Sequence, residues 1–177
     1  MGVAIWQDKV VAALDSRLLI YELPLSWQYG DLSGHISAPD ALGDPAGYAR
    51  SDGTNSVVYR GTNNHIYELY LSGGTWNFGD LSGNAHDLSD HVGAPDALGD
   101  PAGYVRSDRT NSVVYRGANN HIYELYLSDG PPWKDGDLCL ISGAPDALGD
   151  PAGYARSDGT NSVVYRGPNN HIYELFL

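Results

Sequence analysis

The chain repeats itself. Residues 38–69 read APDALGDPAGYARSDGTNSVVYRGTNNHIYEL, and residues 144–175 reproduce them with Pro168 for Thr62 as the one change. Residues 94–125 form a third copy, with Val105, Arg109 and Ala118 where the first has Ala49, Gly53 and Thr62. The tetrapeptide Ile-Tyr-Glu-Leu starts at Ile20, Ile66, Ile122 and Ile172, so successive spacings are 46, 56 and 50 residues. A period near 50 belongs to propeller blades and not to helical solenoids. The repeat divides the chain into about four units, residues 1–37, 38–93, 94–143 and 144–177.

Each unit reads as four short strands. In the second unit Gly47-Tyr48-Ala49-Arg50 is the first, closed by the turn Ser51-Asp52-Gly53-Thr54-Asn55. Ser56-Val57-Val58-Tyr59-Arg60 is β-branched and aromatic, and Gly61-Thr62-Asn63-Asn64 is a hairpin turn that accepts positive φ. His65 to Leu71 is the third strand and Trp76 to Leu81 the fourth. The Asp-Pro pairs at 44–45, 100–101 and 150–151 cannot continue a helix. The first unit is a divergent copy, with strands expected at 3–7, 10–14, 18–23 and, in Trp27-Gln28-Tyr29-Gly30-Asp31-Leu32, a fourth. Bulky residues fall on both faces of these strands, which suits sheets stacked radially so that each is covered twice. The expectation is an all-β propeller of four-stranded antiparallel blades, one of them short of a strand.

Composition agrees. Gly (22) and Pro (10) supply turns, 13 Tyr stand against 2 Phe, and the four Glu all sit in the Ile-Tyr-Glu-Leu repeat. The net charge of −12 argues against phosphate-backbone binding and anionic membranes. No apolar run is long enough to span a bilayer, and no signal peptide is expected at residues 1–9. The single cysteine, Cys139, allows no disulfide within one chain, and its place, where sister copies have Ser33 and Ser82, reads as a packing or surface role and not a nucleophile. Nucleophile-elbow, phosphate-loop, dinucleotide and zinc-protease motifs are absent, so no enzyme and no cofactor are expected. Two motifs hint at metals. The insertion at 84–91 holds His86, Asp87, Asp90 and His91, and Ser-Asp-Gly-Thr-Asn is half of a calcium loop. A solvated loop and an Asx-stabilised turn explain both without an ion.

The Arg, Glu and Trp positions carry the functional question. Arg60, Arg116 and Arg166 end the second strand of their units, and Glu68, Glu124 and Glu174 lie on the third. Arg and Glu in one hairpin either brace the blade as an ion pair or hold a pyranose by paired hydroxyls. Trp27, Trp76 and Trp133 recur at the start of the fourth strand, where they either fill the core or offer a sugar an aromatic face.

The run Asp-Gly-Thr-Asn-Ser-Val-Val-Tyr-Arg-Gly-x-Asn-Asn-His-Ile-Tyr-Glu-Leu, followed by Trp-x-x-Gly-Asp-Leu-Ser, resembles the blade repeat of bacterial fucose-binding β-propeller lectins of the Photorhabdus type. It is similar more distantly to the fungal fucose lectins. The resemblance implies a soluble multivalent lectin with glycan partners and pockets between blades. It assigns sugar contacts to Arg60 with Glu68, Arg116 with Glu124 and Arg166 with Glu174, together with Trp27, Trp76 and Trp133. The first unit, with Leu14 or Asp15 at the Arg position, departs from it. The alternative is a self-assembling repeat protein without a sugar ligand. Four units suit about half a ring, so a homodimer completing one propeller is expected, with residues 1–23 of one chain near residues 144–177 of the other.

Overall fold

The computed structural model describes residues 2–6, 9–14, 17–22, 27–78, 94–128, 130 and 132–177, with only the backbone described over the first three segments. The chain divides into two compact units, residues 1–31 and 32–177. The first contains an antiparallel sheet, sheet I, of β1 (Gly2–Trp6), β2 (Lys9–Leu14) and β3 (Arg17–Glu22), paired in chain order. The three strands expected there are each present within a residue.

The larger unit opens with a one-turn helix, α1 (Leu32–Ile36), and carries three more antiparallel meanders. Sheet II is β4 (Ala46–Ala49), β5 (Asn55–Arg60), β6 (Ile66–Ser72) and β7 (Thr75–Phe78). Sheet III is β8 (Ala102–Val105), β9 (Asn111–Arg116), β10 (Ile122–Leu127) and β11 (Lys134–Asp137), followed by α2 (Leu138–Ser142). Sheet IV is β12 (Ala152–Ala155), β13 (Asn161–Arg166) and β14 (Ile172–Phe176). The structure is all-β with very little helix, as expected. The expectation of a single blade short of a strand needs correction: two described sheets have four strands, and two, sheets I and IV, have three. In the first unit the fourth strand is absent. Residues 27–31 lie in no strand, and Leu32 begins α1 where the strand was expected to end. The His- and Asp-bearing insertion at 84–91 lies outside the described residues.

Register fixes which side chains share a face. Val58 lies opposite both Ala46 and Glu68, and Ser56 opposite Tyr48 and Tyr70, so these six residues occupy one face of sheet II. Tyr59, Tyr67, Leu69, Trp76 and Phe78 occupy the other, packed with Leu32 and Ile36 of α1. The first face of sheet II meets the second face of sheet III in one core, where Val58 and Ile66 touch Val113, Tyr115, Leu125 and Trp133. The pattern recurs between sheets III and IV, where Val114 and Ile122 meet Val163, Tyr165 and Leu175. Each sheet is thus covered on both sides only if neighbours flank it.

The Ala-Pro-Asp-Ala-Leu-Gly-Asp-Pro segment ties each sheet to the one before. The Ala97 N–H donates to Asn64 O at 2.8 Å, and the Ala147 N–H to Asn120 O at 2.7 Å. Tyr59, Tyr115 and Tyr165 donate their hydroxyls to Pro39 O, Pro95 O and Pro145 O at 2.8, 2.9 and 2.7 Å. Burial beside Tyr67 pushes the Tyr59 hydroxyl up to about 12, which keeps it a donor. Glycine is obligatory at one point of each junction: a Cβ on Gly103 would lie 2.3 Å from the Tyr48 ring, and one on Gly153 2.3 Å from the Tyr104 ring.

Candidate functional site

Glu68 points inward and is fully buried. It accepts from Arg50 Nε at 2.9 Å, from a second Arg50 nitrogen, from Ser56 and from Tyr48 at 3.3 Å. Glu124 repeats the cluster with Arg106, Ser112 and Tyr104. A buried carboxylate needs such a set of donors, because removal from water otherwise costs several kcal/mol. Burial, then the nearby Glu68 charge, holds the Tyr48 hydroxyl well above its ordinary value, so it too stays a donor.

The arginine that meets Glu68 and Glu124 is therefore the one after the first strand. The expected pairings of Arg60 with Glu68, Arg116 with Glu124 and Arg166 with Glu174 do not form. Arg60 Nε instead lies 3.5 Å from Asp100 Oδ1, and Arg116 Nε 3.4 Å from Asp150 Oδ1, each bridging to the next sheet. Arg166 bonds Asn170 and Leu148 O. The reason is geometric. Ser56, opposite Tyr48, carries the glutamate's face toward the end of β4, and Arg50 follows there, whereas Arg60 lies at the far end of β5.

Trp133 is 1 % exposed, packed in the core between sheets II and III with its ring 5.9 Å from the Arg50 guanidinium. It fills space there and offers no open face to a sugar. Trp76 lies on the opposite face of its sheet from Glu68, so the two do not meet within one unit. Trp27 is fully exposed, outside any strand. The Arg–Glu pair meets its tryptophan across a junction, Arg50 and Glu68 from sheet II with Trp133 from sheet III.

At the next junction no tryptophan among the described residues occupies the corresponding place. A cavity of about 360 Å³ opens there, with Tyr104, Arg106, Glu124 and Tyr126 on one wall and Asn161, Ser162, Leu175 and Phe176 on the other. The Arg106 guanidinium lies 5.2 Å from the Tyr126 ring and uses only two of its nitrogens on Glu124. Its remaining N–H groups, with Tyr126 and Phe176, give this cavity cationic donors beside aromatic surface. In sheet IV, Ser162 and Tyr154 reach Glu174, but Arg156 lies 3.7 Å from Asp158 instead. The Ser162 bond, strongest among several, holds the exposed Glu174 carboxyl below its ordinary range.

Residue types alone did not reveal two features. Asn111 and Asn161 accept from Ser51 N and Ser107 N of the preceding sheet at 2.8 and 2.7 Å. His121 Nδ1 lies 2.7 Å from Asp137 Oδ2, and Asp137 also caps α2 through Leu140 N at 2.9 Å. Cys139 is buried and accepts from Ile122 N at 3.2 Å, so of the packing and surface roles expected it takes packing. Asp52 Oδ1 accepts from Thr54 N at 2.8 Å, the Asx turn expected at Ser-Asp-Gly-Thr-Asn. Among the described residues no cluster of His, Cys, Asp and Glu suits a metal, and no helix is long and apolar enough to cross a membrane.

No family model matches the chain, and no curated protein does. Solved structures do. A fucose lectin from Kordia zhangzhouensis, in complex with methyl-fucoside, matches 76 % of this chain and 92 % of its own at 14 % identity and a TM-score of 0.51. The Aleuria aurantia lectin in complex with α-methyl-L-fucoside matches 94 % of this chain at 12 % identity and a TM-score of 0.53. This chain spans 46 % of that lectin's length. The chain shares their fold.

Proposed function

We propose that the protein is a carbohydrate-binding lectin without catalysis, of the propeller kind that its repeat resembles, taking fucose or related glycans between adjacent sheets. The observation that carries this reading is the cavity between sheets III and IV, where Arg106 and Glu124 stand beside Tyr126 and Phe176. A pyranose is recognised by charged donors and acceptors for its hydroxyls and by an aromatic face for its C–H surface. The fold shared with two lectins solved with fucosides supports the choice of sugar. The working arginine is then Arg106, with Glu124 orienting it. Arg60 and Arg116 serve the junctions, Arg166 holds Asn170 and Leu148 O of its own unit, and Trp76 and Trp133 serve the core. A homodimer that completes one propeller is the assembly this reading favours, since several weak sites on one body gain avidity.

A glycan array with free fucose as competitor tests the reading. Fucosylated glycans should be retained and released by the free sugar, and Tyr126→Ala should weaken retention about tenfold, the loss of roughly 1.4 kcal/mol. Retention of no glycan at high protein concentration overturns it. The second reading, a self-assembling repeat protein whose Arg and Glu brace the sheets, is favoured by the complete burial and full hydrogen bonding of Glu68. Replacing Glu68, Glu124 and Glu174 together by Gln separates the two. A large fall in melting temperature with no change in glycan retention supports bracing, whereas intact stability with retention lost supports the lectin.

A further inference from the structure

The second residue of the repeated Trp-x-x-Gly-Asp-Leu motif is an amide in the first two units, Gln28 and Asn77, and a lysine in the third, Lys134. The chain has only one other lysine, Lys9. Register gives position 134 a definite neighbour. Lys134 lies opposite Tyr126 of β10, as Asn77 lies opposite Tyr70 of β6. Directly opposite residues of an antiparallel pair send their side chains to one face. In sheet III that face looks onto the cavity: Tyr126 lines it, and so does Gly136, two residues beyond Lys134 on the same face. The Lys134 ammonium lies 6.0 Å from the centre of the Tyr126 ring. The Arg106 guanidinium, 5.2 Å from the same ring, is the second cation there.

The two cations differ in what neutralises them. Arg106 is paired with the buried Glu124 carboxylate. Lys134 has no carboxylate partner among the described residues. Its neighbour Asp135 also borders the cavity, but alternation turns the Asp135 side chain to the face of Leu125, away from Tyr126. Asp137 lies on that far face too, and is committed to His121 and to the cap of α2. Arg106 and Glu124 cancel, so the rim of the cavity carries one positive charge in excess. The junction between sheets II and III offers a comparison. There Arg50 lies 5.1 Å from the Tyr70 ring, but Trp133 fills the space and Asn77 donates its amide to Thr75 O at 2.9 Å. The lysine thus stands at the junction that has room for a ligand and is missing from the one that is filled.

We infer that the cavity between sheets III and IV takes a glycan bearing an anionic group, a sulfate ester or a carboxylate, and that Lys134 is the residue that selects it. The inference rests on the lectin reading and adds a charge requirement to it. Arg106, Tyr126 and Phe176 serve the pyranose, and the ammonium at the rim serves its substituent. Lysine acts as a point charge on a mobile stem, so it accepts either anion without a fixed geometry. The net charge of −12 repels such a ligand at long range. Salt at about 0.1 M screens that field beyond roughly 10 Å, whereas Lys134 acts in direct contact. An exposed pair of this kind is worth a factor of about three to five in affinity.

Titration calorimetry of the full chain with three fucosyl oligosaccharides of one skeleton, neutral, sulfated and carboxylated, tests this. The anionic glycans should bind about three- to fivefold more tightly than the neutral one in about 0.1 M salt, and the ratio should shrink toward one in about 1 M salt. Lys134→Gln, which installs the residue of the first unit, should bring the ratio to about one, and Lys134→Arg should preserve it. Lys134 is exposed, so neither variant should shift the melting temperature. A preference confined to one of the two anions supports the inference and identifies the anion. A ratio of one in the unaltered protein, with the neutral glycan bound, overturns the inference and leaves the lectin reading standing. So does a Lys134→Gln variant that keeps the preference. Binding of no glycan, charged or neutral, overturns both.

Discussion

Arg109 shows how far one residue can depart from its repeat. Its equivalents, Gly53 and Gly159, hold φ of 84° and 86°, and Arg109 holds 73° with a side chain attached. The left-handed region costs an L-residue about 1–2 kcal/mol. A bond from Arg109 Nη2 to Ser51 O, 3.0 Å away in the preceding sheet, offsets part of that cost. Arg109→Gly should therefore stabilise the protein by about 1 kcal/mol or less, the gain reduced by glycine's extra unfolded-state entropy. Chemical denaturation of the two proteins side by side checks the sign. Asp137 makes a second case. Burial alone would raise its carboxyl, but bonds from His121 and from Leu140 N outweigh it and hold the group below the ordinary carboxylate value. A proton then binds the folded form less well than the unfolded one. The stability this gives is present above the unfolded pKa of about 3.9 and is lost as pH falls through the lower folded value. Asp137→Asn should flatten the loss of stability below about pH 4, where the carboxylate titrates, as read by melting temperature against pH.

At the scale of elements, the strands were legible and their partners were only half so. Alternating β-branched and aromatic residues, with Asn-Asn and Asp-Gly turns, located β5, β6, β9, β10, β13 and β14 to within a residue or two. Asn64, Asn120 and Asn170 take the positive φ that the hairpin turn was expected to demand. The helices were not legible. Leu-Cys-Leu-Ile-Ser has no helical period to detect over five residues, and α2 exists because Asp137 caps it and the next sheet buries Cys139. The partner of Glu68 was legible in principle. Alternation places Tyr48, Ser56 and Glu68 on one face once the hairpin registers are drawn, and Arg50 follows Tyr48 by two residues. What composition could not give is the junction, because residues 50 and 133 meet only when two units stack. The three Trp of the repeated motif therefore have different weights. Trp133→Ala should cost about 3–5 kcal/mol, as for a large aromatic removed from a core. Trp27→Ala should leave the stability of dilute protein unchanged, since that side chain is fully exposed in a single copy. Equilibrium denaturation at low concentration separates the two.

At the scale of the whole molecule, the sheets are joined by contacts that run one way along the chain. Tyr48 covers Gly103, and Tyr104 covers Gly153; Arg60 reaches Asp100, and Arg116 reaches Asp150. Charge supports this direction, because the basic member sits on the earlier sheet's side and the acidic member on the later sheet's side of every described junction. Salt should weaken such pairs, which are part exposed, more than it weakens the buried Arg–Glu clusters within each sheet. The same one-way contact bears on how a chain like this is lengthened. Each of the three near-identical units carries the residues of both a socket and the plug for its neighbour's socket, so a tandem copy of one of them spliced in at equivalent positions arrives already compatible with both sides. Gene duplication can then add units without any compensating change at the seam, which suits three copies that differ from one another at so few positions.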